Sequence, residues 1–148
     1  IFSELKSLSR EHSKNHKDII TKITKHVASL GHPDALFILA QAEQDDDAAI
    51  ALYKEAAENG SAEAHLYLAR LYSADIDNPE NLTLAHKHYL AAAELGHVSG
   101  QYQAGLMYGR GFGVPKDIEK AQYWLRQAQS NGYDLATDTL KALNQPDE

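Results

Sequence analysis

Three glycines fall within five positions at Gly109, Gly111 and Gly113, with Lys116 just beyond, in the stretch YGRGFGVPKDIEKA at 108–121. Glycines so spaced ahead of a helix can bare backbone N–H groups to a phosphate. A dinucleotide fingerprint, however, follows a strand, and a P-loop runs from Gly-Lys into Ser or Thr. Here a helical pattern precedes the glycines, and Lys116 leads into Asp117. That carboxylate takes the helix N-terminus a phosphate would want. The stretch therefore reads as a glycine-rich turn between helices.

Histidines and carboxylates offer the other candidate chemistry. His12 and His16 are four apart, which on one continuous helix would put them on one face, as a metal pair requires. Ser13 and Asn15 between them read as helix breakers or caps, so the pair is expected to be split. His86 and His88 are two apart and point different ways on a helix, and no H-E-x-x-H occurs. These histidines read as surface residues, and no metal is expected. Asp45, Asp46 and Asp47 stand together at a helix start, where their charge favours the helix dipole. Acid–base catalysis needs a cleft and one carboxyl with a raised pKa, and nothing in the sequence builds one. Neither a nucleophile elbow nor a cofactor motif is present, so no catalytic residue and no cofactor are expected.

Composition narrows the partners. The chain has 148 residues and a net charge of -7, which argues against nucleic acid. The charge is uneven: residues 1–30 carry six Lys/Arg against three Asp/Glu, and the rest is acidic. A basic end beside an acidic body could help the two pack or guide a partner; a solvated surface is the simpler account. There is no cysteine, hence no disulfide, thiolate metal site or cysteine nucleophile. No apolar run nears the roughly 20 residues of a membrane span. The chain begins at Ile1 and not Met, as a processed or trimmed piece would.

The elements that must carry these residues repeat. AAENG, AAELG and AQSNG end at Gly60, Gly96 and Gly132, a constant spacing. The same shift aligns Ala56 with Ala92 and Ala128, Ala64 with Gly100 and Ala136, and Tyr72 with Tyr108. It also aligns Asp45, Asn81 and Asp117, each suited to start a helix. An earlier, shorter copy at 35–60 matches the next with a shift from Gly31 to Gly60, and the turn residues it lacks fall between Glu43 and Asp45. Each copy has the apolar spacing of two helices, with glycine as the stop. Helices are expected near 33–43, 46–59, 62–73, 81–95, 98–109, 117–131 and 133–144. A further helix is expected over 16–30 and another before it, making 1–30 an N-terminal helical pair or cap. No stretch alternates as a strand would. The expected fold is all-α, a right-handed superhelix of antiparallel two-helix repeats at about 31–60, 61–96 and 97–132, with a final helix and a tail at 145–148.

The copy GQYQAGLMYGRGFGVPKDIEKAQYWLRQAQSNG at 100–132 strongly resembles the Sel-one-like repeat, a relative of the tetratricopeptide repeat. The resemblance is carried by Gly100, Ala104–Gly105, Tyr108, Gly111 to Val114, Asp117, Lys120–Ala121, Trp124, Ala128 and Gly132. Gly100 and Ala104 depart from the usual Ala and Leu. The copy at 64–96 is looser: its turn lacks glycine and His88 stands in place of Trp. The resemblance implies a curved helical array that serves as a scaffold for other proteins, without catalysis. It also implies that the first helix of each pair lines a concave groove. Next to the packing positions this groove would present Phe37, Gln41, Leu66, Arg70, Tyr102 and Leu106, with Arg110 at its edge. A bound protein or peptide segment would bury apolar anchors there, with arginines pairing its carboxylates. The alternatives are a structural or homo-oligomerising segment of a longer protein, or a small metal-dependent hydrolase.

Overall fold

A computed structural model describes residues 1–145. The described residues form eight α-helices packed in consecutive pairs, an all-α repeat fold. The chain divides into two compact units, Ile1–Asn59 and Gly60–Glu148.

The first unit holds α1 (Phe2–Ser29), α2 (Pro33–Ala42) and α3 (Asp46–Glu58). Two helices were expected over residues 1–30; the structure has one. Ser13 and Asn15 do not interrupt it. Polar residues can pull a chain out of a helix by bonding to nearby backbone. Here the hydroxyls of Ser7, Thr21 and Thr24 bond instead to carbonyls three or four residues back, along the helix itself. Gly31 ends α1 with a positive φ, and the amide of His32 reaches back to the carbonyl of Val27. Pro33 opens α2, where its fixed φ and missing N–H cost nothing. Asp45 caps α3 by accepting from the amide of Ala48 at 2.8 Å. The pair α2–α3 packs through small alanines and an edge-on contact of Phe37 with Tyr53, ring centroids 5.6 Å apart.

The second unit holds α4 (Ala62–Ser73), α5 (Pro79–Glu94), α6 (Val98–Arg110), α7 (Ile118–Ser130) and α8 (Asp134–Leu143). Helix α5 begins earlier than the repeat alignment implies. Asn78, not Asn81, is its cap, accepting from the amides of Glu80 and Asn81. Pro79 at the first helical position supplies the reason: its φ is preset for a helix and needs a cap one residue before it. Ser61 and Asp117 cap α4 and α7 in the ordinary way.

Alanine and glycine line the helix crossings. Ala64, Ala69, Ala85, Ala92, Ala104 and Ala121 are completely buried. At Gly100 the approach of α6 to α5 is closest: a Cβ there would stand 2.8 Å from that of Ala92 and 2.9 Å from the amide nitrogen of Ala93. Tyr89 and Met107 fill the larger gaps, and Tyr72 and Trp124 pack at the margin.

The turn at 111–117 closes on backbone. Gly111 is left-handed, with φ 71° and ψ 37°, and ends α6. Gly113 also has a positive φ, and any Cβ on it would collide with the carbonyl of Leu82 on α5. The amide of Asp117 then donates to the carbonyl of Tyr108 at 2.9 Å. Two constraints therefore meet at Gly113, where the helix stop Gly132 carries only one. Gly132→Ala meets no atom within 4 Å and should cost only left-handed strain, about 1–2 kcal/mol. Gly113→Ala should cost about 1–3 kcal/mol more, the usual range for overpacking. Urea unfolding of the two variants measures the difference.

His86 of α5 is buried edge-on against Tyr108, centroids 4.7 Å apart, and Lys120 stands over the other ring's centroid at 5.5 Å. Its Nε2 has no hydrogen-bond partner among the described residues. Burial, and secondarily the charge of Lys120, lower its pKa below the ordinary histidine value. The sign follows from linkage. Below about pH 6.5 the unfolded chain takes up a proton that folded His86 still refuses. Stability contributed above that pH is lost as the pH falls through the lowered folded-state value. Urea midpoints measured at about pH 7.5 and about pH 5 should therefore drop less for His86→Gln than for the unsubstituted chain.

Candidate functional site

Helix α6 carries two adjoining surface pockets of the second unit. Leu106 and Arg110 are four residues apart, hence on one face, and each borders two pockets. The first pocket, about 120 Å³, has Tyr89 and Met107 in its wall with Leu106, and Ser73 of α4 and Arg110 at its polar side. Two turn residues complete it: Ile76, between α4 and α5, and Phe112, from the glycine-rich turn. The second pocket, about 240 Å³, lies towards α8 and is bounded by Gly105, Gly109, Thr139 and Leu143. Gly109 lowers the floor between α6 and α8, since a side chain there would rise beside Leu143, whereas the bare position of Gly105 faces Leu125 of α7.

Arginine stands at both helix ends near this surface. Arg70 is in the last turn of α4, one turn before Ser73, and Arg110 is in the last turn of α6. Each favours its helix dipole. Both are exposed, and neither makes an ion pair among the described residues. The arrangement is an apolar ridge, Leu106, with a hollow on each side and a guanidinium free to meet a carboxylate.

The residues expected to line a groove divide by position. The earlier member is the more buried in the first two pairs, and both members of the third are half-buried. Leu66 is 3 % exposed in the core with Tyr89 and Ala93, and offers no surface. Phe37 is half-buried on Tyr53. Tyr102 is half-buried on Tyr133, centroids 4.8 Å apart, with its hydroxyl 3.4 Å from Thr139 Oγ1. The later members Gln41 and Arg70 are exposed, and Leu106 is half-buried like Tyr102. Four residues advance a helix by about 40° beyond a full turn, enough to carry the side chain from the packing edge to the surface. Phe37 and Gln41 belong to the first unit, the others to the second.

Ile76, Phe112 and Gln103 line the first pocket and were not foreseen. For Phe112 a signal existed: a large apolar residue between two glycines in a turn, too isolated to be core.

The other candidate chemistries are located as follows. The α7 N-terminus beyond the glycine-rich turn is occupied by Asp117, which accepts from the amide of Lys120 at 3.0 Å. His12 and His16 lie on one unbroken, exposed helix face, contrary to the expected split. No group of three or more His, Cys, Asp or Glu is gathered as a metal site among the described residues. Asp45 is a cap, and Asp46 and Asp47 are exposed in the first turn of α3. His86 and His88 diverge as expected of their spacing. His86 is nonetheless buried, and His88 meets His65 of α4, Nδ1 to Nδ1 at 2.9 Å, stacked on Tyr72. They are not free surface histidines: in this copy His88 takes the place that Trp124 holds in the next.

Comparison with known proteins agrees with this architecture. The Sel1 repeat matches residues 33–61, 62–97 and 98–133. A Sel1 repeat protein from Oxalobacter formigenes has a similar structure, with a TM-score of 0.76 and 30% identity over 82% of this chain and 37% of that one. The chitin synthase regulator SKT5 of Malassezia restricta is 29% identical over 103 residues, 68% of this chain and 7% of its own. The DAP3-binding cell death enhancer 1 of Rattus norvegicus is 26% identical over 95 residues, 64% of this chain and 18% of its own. The chain thus spans less than a fifth of either of these curated relatives. No helix among the described residues is long and apolar enough to cross a membrane. Paired helices with glycine stops, small residues at their crossings and three consecutive matches together place this chain in the Sel1 repeat family.

Proposed function

We propose that this chain is a non-catalytic module that binds an extended protein segment across the outward face of α4 and α6. Sel1 repeats generally mediate protein interactions and are usually non-catalytic, and one relative is named for the protein it binds. The observation that carries the reading is the Leu106–Arg110 ridge with a pocket on either side. Apolar side chains of the segment enter the hollows beside Leu106 and Phe112. Its carboxylates meet Arg110 and, one repeat earlier, Arg70. In the first unit, taken by itself, Gln41 holds the position on α2 equivalent to Arg70, with Phe37 beside it. Tyr102 supports the ridge from beneath, through Tyr133. Burial of a few anchors in desolvated hollows dominates such binding, and a rim arginine adds selectivity for acidic segments.

Selection of peptides from a random library against the whole chain tests this. The selected peptides should carry apolar residues flanked by Asp or Glu. Leu106→Asp and Arg110→Glu should each weaken the selected peptide by about tenfold or more, the equivalent of about 1.4 kcal/mol. The exposed Glu119→Ala on α7 should leave its affinity unchanged. Full affinity in both ridge variants would refute the reading.

A further inference from the structure

The largest unpartnered surface is on α1. Every residue from 1 to 23 is exposed, and only Thr24, Val27 and Ala28 turn inward where α2 packs. Eight of the seventeen exposed large hydrophobic residues described lie within the first thirty. They are not scattered. At about 100° per residue, Leu5, Ile19, Ile23 and Leu30 fall on one stripe with Leu8 and Ile20 at its borders. His12 and His16 are at its centre. A surface helix normally lays such a stripe on a core, and this stripe has none. Its C-terminal half is also rich in β-branched residues, Ile19, Ile20, Thr21, Ile23 and Thr24, which weakens an isolated helix.

The stripe is symmetric about residue 14. Leu5 is as far before that point as Ile23 is after it, at the same angle round the helix, and His12 and His16 flank it equally, close to the stripe's midline. A two-fold interface needs this self-complementarity, since residue i of one copy must meet residue j of the other and the reverse. Charge agrees with it. In an antiparallel pair the same flank of each helix faces its counterpart. Glu4 and Lys22 lie on one flank at nearly mirrored heights, so each pairing brings opposite charges together twice.

We propose that α1 is a self-association helix, pairing antiparallel with α1 of a second copy through this stripe. Leu5 of one copy packs on Ile23 of the other at both ends. The four histidines, two from each copy, meet at the two-fold axis. Polar groups at the middle of an apolar seam fix its register, since any slip would set imidazole against leucine or isoleucine. The binding ridge on α6 takes no part in this pairing.

Analytical ultracentrifugation of the whole chain tests the assembly. The chain should sediment at twice its 16.3 kDa mass at micromolar concentrations. The double variant Leu5→Glu, Ile23→Glu should sediment as a monomer with its repeat helices intact by circular dichroism. A monomer at all concentrations would overturn the proposal, and would leave the stripe to another protein or another segment. The register has its own test, free of any folding defect, because the chain has no cysteine of its own. A mixture of His12→Cys and His16→Cys chains, one carrying a size tag, should oxidise chiefly to the mixed disulfide. A predominance of either homodisulfide would overturn the antiparallel register.

Discussion

Close approach of helix backbones at alanine and glycine is the constraint on which the rest of this molecule depends. Where α5 meets α6 there is no room for a methyl group at Gly100, and Gly105 is similarly close to Leu125 of α7. Such contact is rewarded by dense packing, because interior atoms without neighbours lose their dispersion energy. It also fixes what the larger residues can do. With the axes held together by Ala64, Ala85 and Ala104, side chains such as Tyr89 and Met107 have defined gaps to fill. In the second unit the apolar face of the pair α4–α5 is covered by the pair α6–α7, so the repeat, not the single pair, is the stable unit.

The turns inherit their character from this packing. Because α5 and α6 are close, the connection from α6 to α7 must run directly over α5 backbone, and Gly113 is the residue that permits it. The same path leaves Phe112 outside, at the wall of a pocket. A loop that looks like phosphate chemistry is thereby a packing solution that also shapes a surface. The caps follow the same economy. Asp117 satisfies the first turn of α7 and Asn78 that of α5, so neither helix start is left open to an anion.

Much of this was legible from residue types and spacing. The stops at Gly31, Gly96 and Gly132 are structural stops, each with the six-to-one bond of a helix end. Seven of the expected helices lie within a few residues of their places. The misreadings have local causes. Ser13 and Asn15 suggested a break, but a helix with enough good turns around it absorbs two weak formers. Asn81 aligned as a cap, but the Asn78–Pro79 pair one turn earlier makes the better start. The burial of His86 against Tyr108 had no sequence signal, because histidine patterns with polar residues and its aligned neighbour in the next copy is Gln122.

By itself the sequence determined the repeat, the helix count per copy, the family and the positions where small residues must stand. These are periodic properties, and a periodic pattern over-determines its own register. Only the tertiary structure decided which of two residues on one helix face turns inward. Leu66 and Arg70 differ by a rotation of about 40°, smaller than the phase error of any linear pattern, yet one is buried and the other exposed. Whether a side chain packs or is presented depends on the neighbouring helix that happens to stand at that angle. It also decided that α1 continues unbroken and carries its apolar stripe to solvent, because a stripe shows where a helix could be covered, and only the fold shows whether it is.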